Sequence, residues 1–170
     1  NYLVHLYMSE EKENQWILKD DAIIRDHHGF VHFTTIHVQD QEYQIVLDGE
    51  LYNKKELKQE LRAKGVEAKL TRDEEMLVYA YRIWGHALMN HLLGAFALVI
   101  YDGNELFVSK DQMGLKPIFY AKAKESIFIA PAIKTLLTSG EVKAIVNREG
   151  LSELLALGPS ISEDRTLYRD

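Results

Sequence analysis

Cysteine is absent from this chain, and its absence excludes a whole class of chemistry. Without a thiol the chain forms no disulfide, binds no metal through thiolates and has no cysteine nucleophile. Proline is scarce, with three residues, and none precedes Pro117, so no proline-rich linker divides the chain before that point. No apolar run approaches the ~20 residues that span a bilayer, and the first residues lack the charged and then apolar pattern of a signal peptide.

Positive charge is in the minority, with 20 Lys and Arg against 26 Asp and Glu and a net charge of −6. This balance argues against nucleic acid or an anionic membrane as a partner. At 170 residues, 46% hydrophobic and 27% charged, the composition is that of a globular protein with one sizeable core. We therefore expect a single domain over residues 1–170 and, by default, a cytoplasmic location.

The hydrophobic periodicity predicts strands, then helices, and then strands and helices again. The first strands cover residues 2–7, 15–18, 30–38 and 43–47, and helices follow at 54–64, from Thr71 to Gly85, and at 86–93. Later strands cover 95–101, 106–109, 118–121 and 126–130, followed by helices at 131–137 and 148–157. Residues 95–101 are apolar throughout, which predicts a strand covered on both faces. The order favours two sheets with helices outside over an alternating doubly wound fold.

The motif Asp48-Gly49-Glu50-Leu51-Tyr52-Asn53 carries the first chemical signal. It lies between a predicted strand and a predicted helix, and backbone N–H groups at such a corner can hold an oxyanion. The structural alternative is a glycine turn followed by a helix cap, with Asn53 and Glu56 as the cap pair. The motif on its own does not separate these two interpretations.

Four further segments follow in the same order: Thr71 to Glu75, which begins with the capping box Thr71-Arg72-Asp73-Glu74, Gly94-Ala95-Phe96-Ala97 to Asp102, Asp111-Gln112-Met113-Gly114-Leu115-Lys116-Pro117 with Tyr120, and Ile133-Lys134. With them, the chain from about Phe30 onward resembles the class II glutamine amidotransferase domain at the front of asparagine synthetases. Residues 150–160 resemble the place where those proteins pass into their synthetase domain. The resemblance implies an α+β fold, the four-layer αββα sandwich of the N-terminal-nucleophile hydrolases.

The resemblance also implies an activity and a partner. In that family an N-terminal cysteine attacks the side-chain amide of glutamine, its α-amino group serves as base, and ammonia passes to an ATP-dependent synthetase domain. An α-amino group titrates near about 8, so it can accept a proton at neutral pH. The implied partner is an asparagine synthetase-like domain, in cis or in trans, and a homodimer is compatible with the family. No cofactor is expected in this domain, since ATP and Mg²⁺ would bind only in a synthetase domain.

At two positions the resemblance implies a functional side chain that this chain does not have. Asn1 stands where the cysteine nucleophile belongs, and a carboxamide is not a nucleophile. Thr34 stands where an arginine grips the glutamine carboxylate, and a hydroxyl cannot replace that charged bidentate fork. These two positions predict a degenerate site that lacks both the cysteine nucleophile and the arginine that binds the substrate carboxylate.

The acidic positions make up the rest of the vestigial substrate-binding set. Asp48-Gly49 replaces the Asn-Gly of the family; Gly49 keeps its N–H, but an ionised Asp48 would oppose developing negative charge. Glu50 follows in the same motif. Asp73 matches the residue that holds the substrate's amino group, although the helix dipole favours an acid there in any case. With Asp48 and Asp73 and no matching arginine, we expect a negative pocket unless Arg25 or Arg72 folds over it.

Histidine gives no metal site in the sequence. His32 and His37 lie an odd number of residues apart on one predicted strand, so they face opposite sides. The His27-His28 pair lacks carboxylate or thiolate partners at fixed spacing. We expect no metal in this domain.

Three functions are compatible with the sequence. The first is a non-catalytic structural or regulatory domain for an ATP-dependent amide-forming synthetase. The second is an active glutaminase domain that supplies ammonia for asparagine synthesis, with Asn1 as an altered nucleophile position. The third is a stand-alone module that binds a small molecule. An exposed apolar patch is expected if the chain is part of a longer protein.

Overall fold

The computed structural model describes residues 2–10, 16–18, 23–26, 34–123, 126–137, 139–156 and 167–168. Its strands are β1 (Tyr2–Glu10), β2 (Trp16–Leu18), β3 (Ile23–Asp26), β4 (Thr34–Val38), β5 (Gln41–Leu51), β6 (Gly94–Tyr101), β7 (Leu106–Lys110), β8 (Phe119–Ala123) and β9 (Ser126–Ala130). Its helices are α1 (Lys54–Ala63), α2 (Asp73–Trp84), α3 (Ile133–Leu137) and α4 (Arg148–Leu155), with a 3₁₀ helix at Gly85–His91. The predicted elements within these ranges are confirmed in type and order, whereas β3 was not predicted.

Strands β4, β5, β6 and β7 form an antiparallel sheet in that order. The register places Ile45 opposite Ile100 and Leu47 opposite Leu98. Every residue of β6 from Phe96 to Tyr101 is buried. The prediction that residues 95–101 form a central, covered strand is therefore confirmed.

Helices α1 and α2 cover one face of this sheet. Leu57 and Leu61, one turn apart on α1, are completely buried, as is Leu77 on α2. Complete burial of such a side chain stabilises the fold by about 1.5–3 kcal/mol. The even-numbered residues of β6 share this core, which also contains residues of β4 and β5: Ile36, Val38, Ile45, Phe96, Leu98 and Ile100.

The opposite face of the sheet is also buried. Ala97 and Val99 alternate with the residues that meet the helices, and both are completely buried. Val46 of the neighbouring strand is buried as well and lies opposite Val99. The sheet therefore lies between the helix layer and a second layer.

The second layer is a sheet in the order β2-β1-β9-β8, with β3 also paired to β1. Helix α3 packs on β8 and β9, where Phe128, Ala130 and Leu136 belong to one buried cluster. Ile129, between the two cluster residues of β9, is buried on the face turned away from α3. The layers are thus helix, sheet, sheet and helix, and the fold is the α+β sandwich that the resemblance implies.

Three local predictions are wrong. Strand β5 continues to Leu51, so residues 48–51 belong to the sheet and not to a strand-to-helix corner. The side chain of Asn53 does not cap α1; its Nδ2 donates to the carbonyl of His91 and its Oδ1 accepts from the N–H of Leu93, both at 2.9 Å. Pro131 precedes α3 because Ala132 supplies the first helical carbonyl, 3.0 Å from the N–H of Thr135.

Candidate functional site

The segment Asp48–Glu50 lies inside a β-ladder. Asp48, Gly49 and Glu50 are opposite Ala97, Phe96 and Ala95 of β6. Phe96 uses both of its backbone groups with Asp111: its carbonyl accepts from the Asp111 N–H at 2.9 Å, and its N–H donates to Asp111 Oδ2 at 3.2 Å. Asp111 thus extends the pairing of β6 with β7 by one residue, at the level where Phe96 lies opposite Gly49 of β5.

Two glycines allow β5 and β6 to approach closely at this point. Gly49 has φ +123°, and a Cβ placed on it would lie 2.0 Å from the carbonyl oxygen of Ala95. A Cβ on Gly94 would lie 2.3 Å from the carbonyl oxygen of Glu50. Both contacts are with backbone atoms, which cannot move aside as a flexible side chain can. Glycine is therefore required at both positions by geometry, independently of any oxyanion-binding role.

Asp111 organises the loop that follows β7. The residue is buried, and besides the Phe96 N–H its carboxylate accepts from the N–H groups of Leu115 at 3.0 Å and Lys116 at 3.1 Å. Burial raises the pKa of Asp111, but the backbone donors outweigh it, and the net pKa is lowered. The carboxylate thereby fixes the backbone of residues 111–116 against β6 and directs Lys116 back towards β5.

Lys116 pairs with Asp48. Its Nζ donates to Asp48 Oδ1 at 3.0 Å across 68 positions of sequence, with side chains 39% and 31% exposed. The carboxylate that the sequence places beside an oxyanion site is therefore balanced by an ammonium group. This pairing is not predicted from the sequence, where Lys116 stands out only as part of the Asp111–Pro117 motif.

Lys54 pairs with Asp73. These are the first residues of α1 and α2, and Lys54 Nζ lies 2.7 Å from Asp73 Oδ2. The hydrogen bond that Lys54 donates to Asp73 is the main cause of a raised pKa for Lys54, and Glu50 and Glu74 raise this pKa further. Asp48 and Asp73 thus each have a lysine partner, whereas the net negative charge of the whole pocket stays a prediction. The positive charge beside these two acids comes from Lys54 and Lys116, and Arg72 pairs with Glu75 instead.

Glu75 caps helix α2. Its Oε2 accepts from the Thr71 N–H at 2.9 Å, the Thr71 hydroxyl at 3.1 Å and the Arg72 N–H at 3.3 Å. Burial raises the pKa of Glu75, but these hydrogen bonds together lower it. The predicted capping box is confirmed in place but with Glu75 instead of Glu74, because the helix begins at Asp73 and Arg72 is its cap residue.

The remaining predicted residues are only partly brought together. Thr34 is half-buried at the start of β4, opposite Ile45, on the strand face that carries Ile36 towards the helices. Among the residues described here, no hydrogen bond or ion pair joins Thr34 to Asp48 or Asp73. The structure does not describe Asn1, the side chain of Arg25, or the residues His27, His28 and His32, so the predictions for them lie outside the described residues.

Two negative observations complete the geometry. Within residues 34–123 and the other described ranges, no group of three or more His, Asp or Glu side chains is arranged to hold a metal ion. No helix in the same ranges is long and apolar enough to cross a membrane.

Comparison with known proteins gives the family. Residues 34–170 match the glutamine amidotransferase domain. The chain belongs to that family. It is 42% identical over 129 residues to asparagine synthetase [glutamine-hydrolyzing] 3 of Bacillus subtilis (strain 168), covering 75% of this chain and 21% of that protein. It is 30% identical over 120 residues to asparagine synthetase [glutamine-hydrolyzing] 1 of the same organism, covering 69% and 19%.

A solved structure gives the same fold. Glutamine phosphoribosylpyrophosphate amidotransferase from B. subtilis, complexed with ADP and GMP, superposes with a TM-score of 0.55 and 23% identity, over 69% of this chain and 29% of that one. These comparisons confirm the resemblance to the amidotransferase domain of asparagine synthetase-like proteins. The chain spans about a fifth of the length of the curated relatives it matches.

Proposed function

We propose that this amidotransferase domain does not hydrolyse glutamine and serves as a structural or regulatory domain for an ATP-dependent amide-forming synthetase. The Lys54–Asp73 ion pair is the observation that carries the proposal. By the resemblance, Asp73 would hold the amino group of glutamine, but an internal ammonium group already lies 2.7 Å from it. A substrate amine would have to displace a partner that is attached to the same molecule.

Three sequence features support the same conclusion. The chain has no cysteine, so the thiolate of the family mechanism is missing from these residues. Thr34 offers no charge to a substrate carboxylate. Asp48, even when balanced by Lys116, presents an acceptor where the family presents a carboxamide. The nucleophile, the residue that binds the substrate carboxylate and the oxyanion position thus all differ from the pattern of the family.

The partner follows from the relatives. They are asparagine synthetases about five times the length of the matched segment, so a synthetase domain in cis or in trans is the proposed partner. ATP and Mg²⁺ are assigned to that domain, and a cytoplasmic location and a homodimer stay predictions. Exposed apolar side chains support a docking role: Met113 and Leu115 on the loop after β7 are 82% and 61% exposed, and Leu155 on α4 is 72% exposed.

Calorimetric titration with L-glutamine tests the proposal. We expect a dissociation constant no tighter than about 1 mM, which corresponds to about −4 kcal/mol and few specific contacts. Lys54→Met should improve binding measurably because it releases Asp73, and Lys64→Met, on an exposed lysine elsewhere, should not. Micromolar binding to the wild-type protein that Asp73→Ala abolishes would refute the proposal, even if no hydrolysis followed.

A further inference from the structure

A cavity of about 450 Å³ opens beside strand β4, at the segment that leads into α2. It is lined by residues 35–37 of β4, by residues 68–72 ahead of α2, and by Glu75 and Tyr79 of α2. None of the vestigial site residues Thr34, Asp48, Gly49, Glu50 and Asp73 lines it. Its volume is within the range of small-molecule sites. The cavity is therefore a second place, separate from the amidotransferase site, where a ligand can be held.

The charges in this cavity favour an anion. Lys69 and Arg72 bring two positive charges, and Glu75 is the one carboxylate in its lining. That carboxylate already accepts three hydrogen bonds from Thr71 and Arg72 as the cap of α2. Glu75 is already bound as the cap of α2. The lining of the cavity therefore offers no other carboxylate to pair with Lys69.

Arg72 is the group best placed to take a ligand. Its Nε and Nη2 both donate to Glu75 Oε1, each at 3.3 Å, and its side chain is 54% exposed. Charge-assisted bonds of this kind are usually about 2.7–2.9 Å long, so this contact is a weak one. Glu75 would keep its other three donors if the guanidinium turned to a ligand. Arg72 would then bind the carboxylate of the ligand instead of that of Glu75. The hydrogen bonds by which Glu75 caps α2 would remain.

We propose that the cavity binds a small carboxylate-bearing molecule, with Arg72 gripping the carboxylate and Lys69 adding positive charge. A guanidinium fork can donate two parallel hydrogen bonds to the two oxygens of a carboxylate, whereas its present contact uses only Oε1 of Glu75. Ile36, Ala68 and Leu70 supply apolar surface for the hydrocarbon part of the ligand. The hydroxyls of Thr35 and Tyr79 are donors for further oxygen atoms.

Calorimetric titration with succinate at low ionic strength tests this assignment. We expect saturable binding that weakens at high salt, because the interaction is between charges at a partly open site. Arg72→Gln should weaken binding by roughly tenfold or more, as expected for loss of a charge-assisted pair. Lys69→Met should weaken it by a smaller factor. Arg148→Gln, which removes an arginine at the start of α4, is the matched control and should bind as the wild type does.

Several outcomes would overturn the proposal. Absence of saturable binding up to about 10 mM succinate would do so. Equal affinities for Arg72→Gln and Arg148→Gln would show a general charge effect. Inorganic phosphate that binds tenfold more tightly than succinate would exclude carboxylate selectivity. If Arg72→Gln lowers the melting temperature sharply, the Lys69→Met and Lys64→Met pair provides the same comparison without touching the α2 cap. Succinate has no amide, so this result is independent of glutamine hydrolysis.

Discussion

The ammonium group of Lys54 lies 2.7 Å from the carboxylate of Asp73, which joins the first residue of α1 to the first residue of α2. A raised pKa means that this lysine stabilises the folded protein fully below its unfolded value of about 10.4. The contribution is lost as pH rises through the higher folded pKa. We predict that Lys54→Met lowers the melting temperature at pH 7 and that the difference from wild type shrinks as pH rises from about 10.4 through the higher folded pKa. A difference that stays constant with pH would contradict the assigned ion pair.

The close approach of β5 and β6 predicts a large cost for one methyl group. Gly49→Ala should destabilise the protein by about 3 kcal/mol or more, because the Cβ would meet a backbone carbonyl in addition to the strain of a positive φ. Gly103→Ala is the matched control, with φ +93° and open space around the new Cβ, and should cost about 1 kcal/mol. Chemical unfolding of both variants measures the difference. Equal costs would mean that the strands separate without penalty.

Asp111 predicts acid sensitivity. Its lowered pKa means that its stabilising effect is present above an unfolded value of about 3.9 and is lost as pH falls through the lower folded value. Asp111→Asn should lower the melting temperature at pH 7, since the amide nitrogen that replaces one carboxylate oxygen cannot accept the N–H groups bound there, either that of Leu115 or those of Phe96 and Lys116. The variant should also lose part of the wild-type decline in stability below pH 4. Glu67→Gln, on an exposed residue, is the control for loss of one negative charge.

The α2 cap predicts a moderate effect. Glu75→Ala should cost about 1–2 kcal/mol, because the N–H groups of Thr71 and Arg72 lose their acceptor. Glu74→Ala leaves those groups satisfied and should cost less. Thermal unfolding distinguishes the two, and a larger effect at residue 74 would restore the capping box predicted from the sequence.

Lys116 and Asp48 should be energetically coupled. Both side chains are partly exposed, so a double-mutant cycle with Lys116→Met and Asp48→Asn should give a coupling of about 0.2–1 kcal/mol. Asp48→Asn should be tolerated better when Lys116 has also been changed. Additive effects of the two substitutions would show that the pair is not formed in solution.

The sequence predicts the sheets and helices well because their hydrophobic patterns are local. Residues 95–101 identify the buried strand, and Leu57 and Leu61 identify the inward face of α1, from spacing alone. The end of β5 could not be predicted in this way. The ladder past Leu47 is made with residues 94–97 of β6, which lie far along the chain, and no local pattern in residues 48–51 reports that partner.

The candidate site shows the same limit. The positions of Asp48 and Asp73 follow from the resemblance, but their partners Lys116 and Lys54 come from other elements and match no short motif. Asn53 has the residue type of a helix cap and instead bonds to residues 91 and 93, because those residues happen to lie beside it in the fold. One signal was available in advance: an aspartate that begins a turn, with glycine three residues later, is typical of a carboxylate that organises its own loop. Asp111 and Gly114 fit that pattern.

Release of ammonia from L-glutamine at high protein concentration tests the central claim most directly. The proposed loss of the nucleophile and the carboxylate clamp predicts a rate equal to the buffer blank for the wild-type protein. The same result is predicted for Lys54→Met, because release of Asp73 supplies neither a thiol nor a carboxylate clamp. Turnover by the wild-type protein that disappears in Asp73→Ala would contradict the account, since it would show a working glutamine site in this domain.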